Sequence, residues 1–221
     1  MIDEELVVRI VYAGFRRAWE EERWGGRTDP STIFVTDVTQ CLLKSWYQRV
    51  LDYSPSDEKV ALLVMGDDVH YLMREILGVG EGELGLEKEL GDGVKLRGRV
   101  DRVLGDCVLE FKTVSRAPEK PYDNHIKQIQ LYMWLADKGE GFIVYVSRAD
   151  GKVKAFRVLR EDEVVAEMAK RARRLSESLR QGVPPEPEPS KLCKYCEYNT
   201  LCPALKSGSS TQRGRAAPGS T

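Results

Sequence analysis

The sequence lacks a charge excess of either sign and lacks any long apolar segment. Its 34 Lys and Arg residues stand against 35 Asp and Glu, so the formal net charge is -1. A protein without a net positive field does not attract nucleic acid as a whole, and any DNA or RNA site must be a local basic patch. The longest apolar runs, residues 60–65 and 142–146, are far shorter than the ~20 residues of a membrane span.

A signal peptide is lacking as well, because the first residues, Met-Ile-Asp-Glu-Glu, offer neither a basic nor an apolar region. We therefore expect a cytoplasmic protein with no membrane partner. The composition, 42% hydrophobic and 31% charged, excludes collagen-like and wholly disordered chains. A length of 221 residues allows one domain with appendages.

The hydrophobic spacing predicts a fold of the α/β (α+β) class. Helical periodicity covers residues 4–24, about 37–50, and a stretch behind Ser56 to about 76. Alternating patterns with Gly-Asp turns then predict an antiparallel meander over 83–90, 94–104 and 107–115. A helix at 122–137, strands at 141–147 and 152–158, and a helix at 160–180 complete the order.

Four regions follow from this order. They are an N-terminal helical region (1–80) that carries Cys41 and His70, a core (81–181), a Pro-rich linker with a cysteine loop (182–206), and a disordered tail (207–221).

One strand pattern carries the chemistry. In Glu110-Phe111-Lys112 the carboxylate and the ammonium share a strand face, because side chains alternate with period two. The hairpin through Gly105-Asp106 brings Asp101 back beside this strand. Converging carboxylates can bind a divalent cation, and a nearby lysine can orient water or stabilise charge on phosphate. The alternative is a surface ion pair, which is common in polar-faced strands.

Three further side chains favour the catalytic interpretation. His70 lies one turn after Gly66 on the third helix, and Gln128 and Tyr132 lie at i and i+4 on the helix after the meander. Each taken alone is more often an ordinary helix residue.

Together these residues resemble the RecB-like branch of the PD-(D/E)xK nuclease superfamily. With the cysteines, residues 31–205 are similar to the CRISPR-associated RecB-like exonucleases, the Cas-four family. The resemblance implies a restriction-endonuclease-like αβββαβ core with a C-terminal iron-sulfur cluster loop. It also implies a site in which Lys112 is catalytic and Gln128 and Tyr132 orient Lys112 and the scissile phosphate. The implied Mn2+ or Mg2+ ligands are His70, Asp101, Glu110 and the Phe111 backbone carbonyl.

The implied activity is metal-dependent DNA exonuclease cleavage, on single strands and from 5′ to 3′, in CRISPR adaptation beside the CRISPR integrase proteins. A homo-oligomer is a further expectation. Two alternatives stay open: a RecB-like DNA repair nuclease outside CRISPR, and a non-catalytic, cluster-stabilised DNA-binding subunit.

Five cysteines in a reducing compartment favour metal or cluster ligation over disulfides. Cys193, Cys196 and Cys202 lie in one short loop, and Cys41 is the candidate fourth ligand, whereas Cys107 is interpreted as a small residue on the core face of its strand. Spacing alone allows zinc as readily as iron. The resemblance implies an iron-sulfur cluster, [4Fe-4S] or [2Fe-2S].

Basic residues near the predicted site are candidate phosphate contacts: Arg97, Arg99, Arg102, Arg116 and Lys127. Tyr122, Tyr132 and Trp134 are candidates for stacking on bases. The competing interpretation is a solvated basic face with ordinary core aromatic residues.

Overall fold

The computed structural model describes residues 3–22, 28–51 and 55–206, without the side chains of residues 67–70, 74, 205 and 206. The predicted disordered tail therefore lies outside the described residues. Within them, no helix is long and apolar enough to pass through a membrane.

A six-stranded mixed sheet forms the centre of the protein. Its strands are β1 (Thr32–Phe34), β2 (Glu81–Gly91), β3 (Val94–Leu104), β4 (Cys107–Val114), β5 (Glu140–Ser147) and β6 (Val153–Leu159). The helices are α1 (Glu4–Glu22), α2 (Val35–Val38), α3 (Leu42–Val50), α4 (Asp57–Leu77), α5 (Asp123–Leu135), α6 (Asp162–Gln181) and α7 (Pro203–Lys206), with a 3₁₀ turn at Lys191–Tyr195. The predicted α/β fold class and the αβββαβ order are confirmed.

Strand β3 has two different neighbours along one edge. Strand β2 pairs with it antiparallel along its length, while β1 pairs parallel with residues 95–97 and β4 pairs antiparallel with residues 102–104. Strand β5 then continues the sheet parallel to β4, and β6 is antiparallel to β5. The predicted meander of β2, β3 and β4 is therefore correct, and the gap between β1 and β4 lies beside residues 98–101.

The main core lies where helices α5 and α6 pack on the sheet. Its fully buried members include Ile129 of α5, Ile143 of β5 and Leu175 of α6. Ile33 and Leu42 belong to the same core, so the N-terminal region adds a strand and buried side chains to it. Strand β1 was not predicted, because a three-residue strand is too short to show a period.

The predicted single helix at 37–50 is wrong, because the chain breaks between α2 and α3. Arg171 of α6 donates through Nε to the Val38 carbonyl (2.9 Å) and through Nη2 to the Gln40 carbonyl (2.7 Å). The Leu42 amide, which a continuous helix would direct to Val38, donates instead to Glu188 Oε2 at 3.1 Å. The break places Cys41 directly before the first residue of α3.

Candidate active site

The carboxylates of Asp101 and Glu110 meet where the β3–β4 ladder ends. Pairing stops at Arg102 and Leu109, and the next free amide, that of Phe111, donates to Asp101 Oδ2 at 2.8 Å. A side chain thus replaces a backbone acceptor at this point. The predicted return of Asp101 to the Glu-x-Lys strand is confirmed.

Glu110 and Lys112 form a buried ion pair. Lys112 Nζ lies 2.6 Å from Glu110 Oε1, and the two side chains are 18% and 2% exposed. The interpretation of this pair as a surface contact is therefore wrong. A buried pair of this kind is a poor source of stability, since desolvation offsets the attraction between the charges.

The electrostatics around Glu110 favour a cation. Burial raises the pKa of Glu110, the charge of Asp101 raises it further, and Lys112 only partly opposes them. Burial lowers the pKa of Lys112, but Glu110 and Asp101 outweigh it and leave that pKa raised. Glu110 Oε2 is buried and accepts no hydrogen bond among the described residues. Two hard oxygen donors with one unpaired buried oxygen match the chemistry of Mn2+ or Mg2+.

The contacts described above do not include the other two predicted metal ligands, His70 and the Phe111 carbonyl. The side chain of His70 lies outside the described residues, and the Phe111 carbonyl stays a prediction. Within the described side chains, no three His, Cys, Asp or Glu residues are grouped closely enough to hold an ion. The structure thus brings together two members of the predicted ligand set, Asp101 and Glu110.

Gln128 and Tyr132 of α5 pair with each other under the sheet. Gln128 Nε2 donates to the Tyr132 hydroxyl at 2.9 Å, and both residues are buried. Burial, and then the charge of Glu110, raises the pKa of Tyr132 well above its usual value, so the phenol stays protonated. A Cβ at Gly98 would lie 2.8 Å from the Tyr132 ring, so only glycine on β3 lets this ring approach.

The four cysteines predicted as cluster ligands line one cavity with a volume of about 350 Å³. Cys41 comes from the break before α3, and Cys193, Cys196 and Cys202 come from the loop around the 3₁₀ turn. All four thiols are half-buried and free of disulfides. Burial raises the pKa of Cys196, and Cys41 is close enough to raise it further.

Contacts between distant parts of the chain join the walls of the cavity. Tyr47 of α3 stacks on Tyr198 with ring centroids 5.3 Å apart, and Lys44 Nζ lies 3.1 Å from Glu197 Oε2. On the other side, Arg171 Nη1 and Nη2 bind the two carboxylate oxygens of Glu188 at 2.5 and 2.9 Å.

The PD-(D/E)XK nuclease superfamily model matches residues 79–203, which is more than half of the chain. The chain belongs to the PD-(D/E)XK nuclease superfamily. The match covers the strands with Asp101, Glu110 and Lys112, the helix with Gln128 and Tyr132, and the loop with three cysteines.

Known proteins similar to this nuclease span most of its length. It is 23% identical over 201 residues to the CRISPR-associated exonuclease Cas4 of Saccharolobus solfataricus, covering 83% of this chain and 93% of the relative. The crystal structure of SSO0001 matches with a TM-score of 0.70 and 25% identity, over 86% of this chain and 94% of that one. The alkaline exonuclease LHK-Exo from Laribacter hongkongensis matches with a TM-score of 0.51 and 15% identity, over 75% and 93%, and shares the fold.

Two predicted DNA contacts of the nuclease are corrected by burial. Arg102 is 4% exposed, and its Nη1 donates to the carbonyls of Val79 and Gly80, so it joins β3 to the chain before β2. Tyr132 is 5% exposed and cannot stack on a base. A period-two strand does not reveal which of its charged residues points inward when both faces are covered.

The remaining candidates stay predictions. Arg99 Nη1 lies 2.9 Å from Glu83 Oε1, Arg116 and Tyr122 are exposed, and Arg97, Lys127 and Trp134 are half-buried. Cys107 is half-buried on the strand face opposite to the buried Val108 and Glu110. Its predicted place on the core face is therefore wrong.

Two residues of the nuclease site, His125 and Tyr145, were missed by sequence analysis. Tyr145 is the register partner of Lys112 on β5, and its hydroxyl lies 2.8 Å from His125 Nδ1. One signal was available, because His125, Gln128 and Tyr132 follow the i, i+3, i+7 spacing of one helix face. Tyr145, within an apolar strand, gave no signal.

Proposed function

We propose that this nuclease is a metal-dependent DNA exonuclease that hydrolyses phosphodiester bonds with Lys112 as a catalytic residue. The Asp101–Glu110–Lys112 cluster, with Glu110 fully buried at its centre, carries the proposal. Neither a surface ion pair nor a pure DNA-binding module explains two adjacent carboxylates of which one, Glu110, is fully buried with an oxygen that has no hydrogen-bond partner among the described residues. Native structures rarely leave such an atom unsatisfied.

The proposed metal ligands are Asp101, Glu110, His70 and the Phe111 carbonyl. A bound Mn2+ or Mg2+ supplies Lewis-acid polarisation of a phosphoryl oxygen and a lowered pKa of bound water. Lys112 remains partly accessible while it is paired with Glu110, so its ammonium can also bind a water or a phosphate oxygen. Gln128 and Tyr132 are bonded to each other, and the charge of Glu110 acts on Tyr132, so we assign them a positioning role toward Lys112 and the scissile phosphate.

The four cysteines are proposed to hold an iron-sulfur cluster. A tetrahedral zinc site draws four sulfurs to about 2.3 Å from one point. In this chain the four proposed cysteine ligands line a cavity of about 350 Å³. A cluster spreads its ligands around several iron atoms, and a cavity walled by four thiols fits that arrangement better.

We further propose that the protein acts in CRISPR adaptation beside integrase proteins, on single-stranded DNA and from 5′ to 3′, in the cytoplasm and as a homo-oligomer. The similarity to a CRISPR-associated exonuclease over most of both chains supports the CRISPR role. A DNA repair nuclease of the same superfamily is the second candidate, since the fold is shared with an alkaline exonuclease. Cleavage assays with and without integrase proteins distinguish the CRISPR role from the repair role. Single-stranded and end-blocked substrates test the strand preference and the direction of cleavage.

The test of the central proposal compares Lys112→Ala with Lys154→Ala in one preparation. Lys154 is also in an ion pair, 2.9 Å from Glu119 Oε1, but at the surface of β6. We expect Lys112→Ala to lose cleavage by at least about 100-fold and to keep its DNA affinity within a few-fold, because one phosphate contact among several is removed. The Lys154 control should match the wild type. Cleavage by Lys112→Ala at the wild-type rate would favour the non-catalytic DNA-binding subunit.

The cluster is tested by visible absorption and iron analysis of protein isolated without oxygen. A brown protein with iron supports the proposal, whereas stoichiometric zinc without iron contradicts it. These measurements do not depend on cleavage and therefore test the cysteine site separately from Lys112.

A further inference from the structure

The imidazole of His125 lies close enough to Lys112 for the charge of the lysine to act on it. The proposed metal ligands and cluster ligands do not include this histidine. His125 is half-buried near the start of α5. Its ring faces Tyr145 at a centroid distance of 5.6 Å and packs edge-on against Tyr122 at 5.5 Å. Tyr122 is 47% exposed, so the ring borders a surface that DNA can reach.

The hydrogen bonds of Tyr145 determine which nitrogen of His125 carries the proton. The Tyr145 hydroxyl accepts from the Tyr122 amide at 3.0 Å and lies 2.8 Å from His125 Nδ1. Tyr145 is fully buried, and among the described residues Nδ1 is the acceptor available to its O–H. If Nδ1 were the donor, this buried O–H would have no acceptor, which is unfavourable by the penalty of an unsatisfied polar group. The Tyr145 hydroxyl therefore donates to Nδ1, and the proton of the neutral ring is on Nε2.

The surroundings also keep the ring neutral. Burial, and then the positive charge of Lys112, lowers the pKa of His125 to about 4. Burial raises the pKa of Tyr145, so the phenol stays protonated as well. In the described part of the chain no protein group pairs with Nε2. The result is a neutral N–H donor beside a cationic lysine.

We propose that His125 is a substrate-binding residue of the nuclease site, whose Nε2–H donates a hydrogen bond to a non-bridging phosphate oxygen of the bound DNA strand. The proposal rests on the nuclease function proposed above and adds a residue to it. Because Tyr145 is both the register partner of Lys112 and the hydrogen-bond donor to His125 Nδ1, it holds the two substrate contacts in one geometry. A neutral donor orients the phosphate without adding a second cation next to Lys112.

The tautomer can be measured directly, since the chain contains only two histidines. Two-bond nitrogen–proton correlation spectra of the full-length, metal-free protein give the protonated nitrogen of each ring, and His70→Asn assigns the signals. We expect His125 to carry its proton on Nε2 in the wild type and to become a mixture of tautomers in Tyr145→Phe. Addition of a single-stranded oligonucleotide without metal should shift the Nε2–H proton downfield. A proton on Nδ1, or an Nε2–H signal unmoved by saturating DNA, overturns the proposal.

The variants His125→Gln and His125→Asn separate a substrate role from a structural one. The Gln amide reaches the position of Nε2 and the Asn amide that of Nδ1, so Gln restores a donor to the phosphate and Asn restores a partner for Tyr145. We expect His125→Asn to raise KM for DNA about fivefold, the effect of one lost neutral hydrogen bond, while His125→Gln stays within about twofold of the wild type. The reverse order would show that the ring only supports Tyr145.

Lys112→Ala keeps this test independent of the proposed function. If Lys112→Ala is inactive and the two His125 variants do not differ, the nuclease stands and the histidine proposal fails. If Lys112→Ala is fully active, the nuclease proposal fails first. Far-UV circular dichroism and thermal unfolding of both His125 variants show whether either is misfolded, and the spectra of the wild type decide the question in that case.

Discussion

The carboxylate site and the cysteine cavity are built in opposite ways. Asp101, Glu110 and Lys112 lie on two strands joined by a two-residue turn, so the pairing of one hairpin is enough to bring them together. Cys41 is about 150 residues from the other three cysteines of the cavity, and the two parts of the chain are joined by the contacts of Tyr47, Lys44 and Arg171. Loop closure over this length is entropically unfavourable, and a ligand that bridges it stabilises the folded chain. The cluster of Asp101, Glu110 and Lys112 thus depends on one hairpin, whereas the cavity depends on contacts between distant parts of the fold.

This difference predicts that substitutions in the carboxylate site mainly lower the rate of cleavage. Substitutions around the cysteine cavity should mainly lower the free energy of unfolding. Four experiments test it, in order of decreasing effect.

Glu110→Gln should reduce cleavage by about 1,000-fold without lowering the thermal midpoint. The amide keeps the shape of the side chain but removes the charge that binds a cation. Asp101 stays close enough to act on Lys112, and its repulsion with the second carboxylate is removed, so the lysine keeps a negative partner. Isothermal titration with Mn2+ should show the loss of binding directly. Glu119→Gln removes one partner of a surface pair on Lys154 and should change neither quantity. A large loss of stability in Glu110→Gln would contradict a purely chemical role.

Cys41→Ser should lower the iron content and the stability together. Without Cys41, a cluster bound by the three C-terminal cysteines no longer links them to helix α3. We therefore expect the free energy of unfolding to fall by about 2 kcal/mol or more. Cys107→Ser is the matched control, because Cys107 is half-buried on β4 and is not among the residues that line the cavity. Equal iron loss in the two variants would argue against the assigned ligand set. Metal analysis and thermal unfolding under anaerobic conditions provide the measurements.

Tyr132→Phe should slow cleavage about tenfold and leave metal affinity unchanged. The change removes the hydroxyl that accepts from the buried Gln128 Nε2 at 2.9 Å in the wild type. An unsatisfied buried donor of this kind is typically unfavourable by ~1–3 kcal/mol, and Lys112 is positioned less well. The effect should appear mainly in kcat, and the fall in the thermal midpoint should be smaller than that of Cys41→Ser. A loss as large as that of Lys112→Ala would instead make the phenol itself catalytic.

Glu188→Gln should produce the smallest effect, about 1–2 kcal/mol at neutral pH, confined to stability and cluster retention. Glu188 receives two bonds from Arg171 and one from the Leu42 amide beside Cys41. Glu140→Gln is the control, since Glu140 has a similar bidentate pair with Arg157 on the exposed edge of the sheet.

The pH dependence of this effect has a defined sign. Burial raises the pKa of Glu188, but Arg171 and the Leu42 amide outweigh it and hold that pKa below the usual 4.5. A depressed pKa stabilises the fold fully above the unfolded value, and the stabilisation is lost as the pH falls through the folded value. The difference between wild type and Glu188→Gln should therefore shrink below pH 4.5. A constant difference in urea unfolding from pH 7 to pH 3 would show that the carboxylate charge is not responsible.

Much of the active site could be predicted because its geometry is local. Period-two alternation and a Gly-Asp turn were sufficient to bring Asp101 beside Glu110, and the i, i+4 spacing was sufficient to pair Gln128 with Tyr132. The errors arose where a side chain from elsewhere decided the outcome. Arg102 was mistaken for a DNA contact because its carbonyl partners lie more than 20 residues earlier in the chain. The helix at 37–50 was predicted as continuous because Arg171, which competes for its carbonyls, is 133 residues from Val38.

The sequence by itself determined the order of the elements from β2 to α6, the carboxylate–lysine strand and the family to which the chain belongs, since these depend on spacing along neighbouring residues. Only the tertiary structure decided that Glu110 is buried and Arg102 inaccessible, that Cys41 faces the C-terminal loop, and that Tyr145 directs the proton of His125. The physical reason is that burial and hydrogen-bond pairing depend on groups brought close by packing. The pattern of residue types along the sequence does not specify which distant group packs against a given residue.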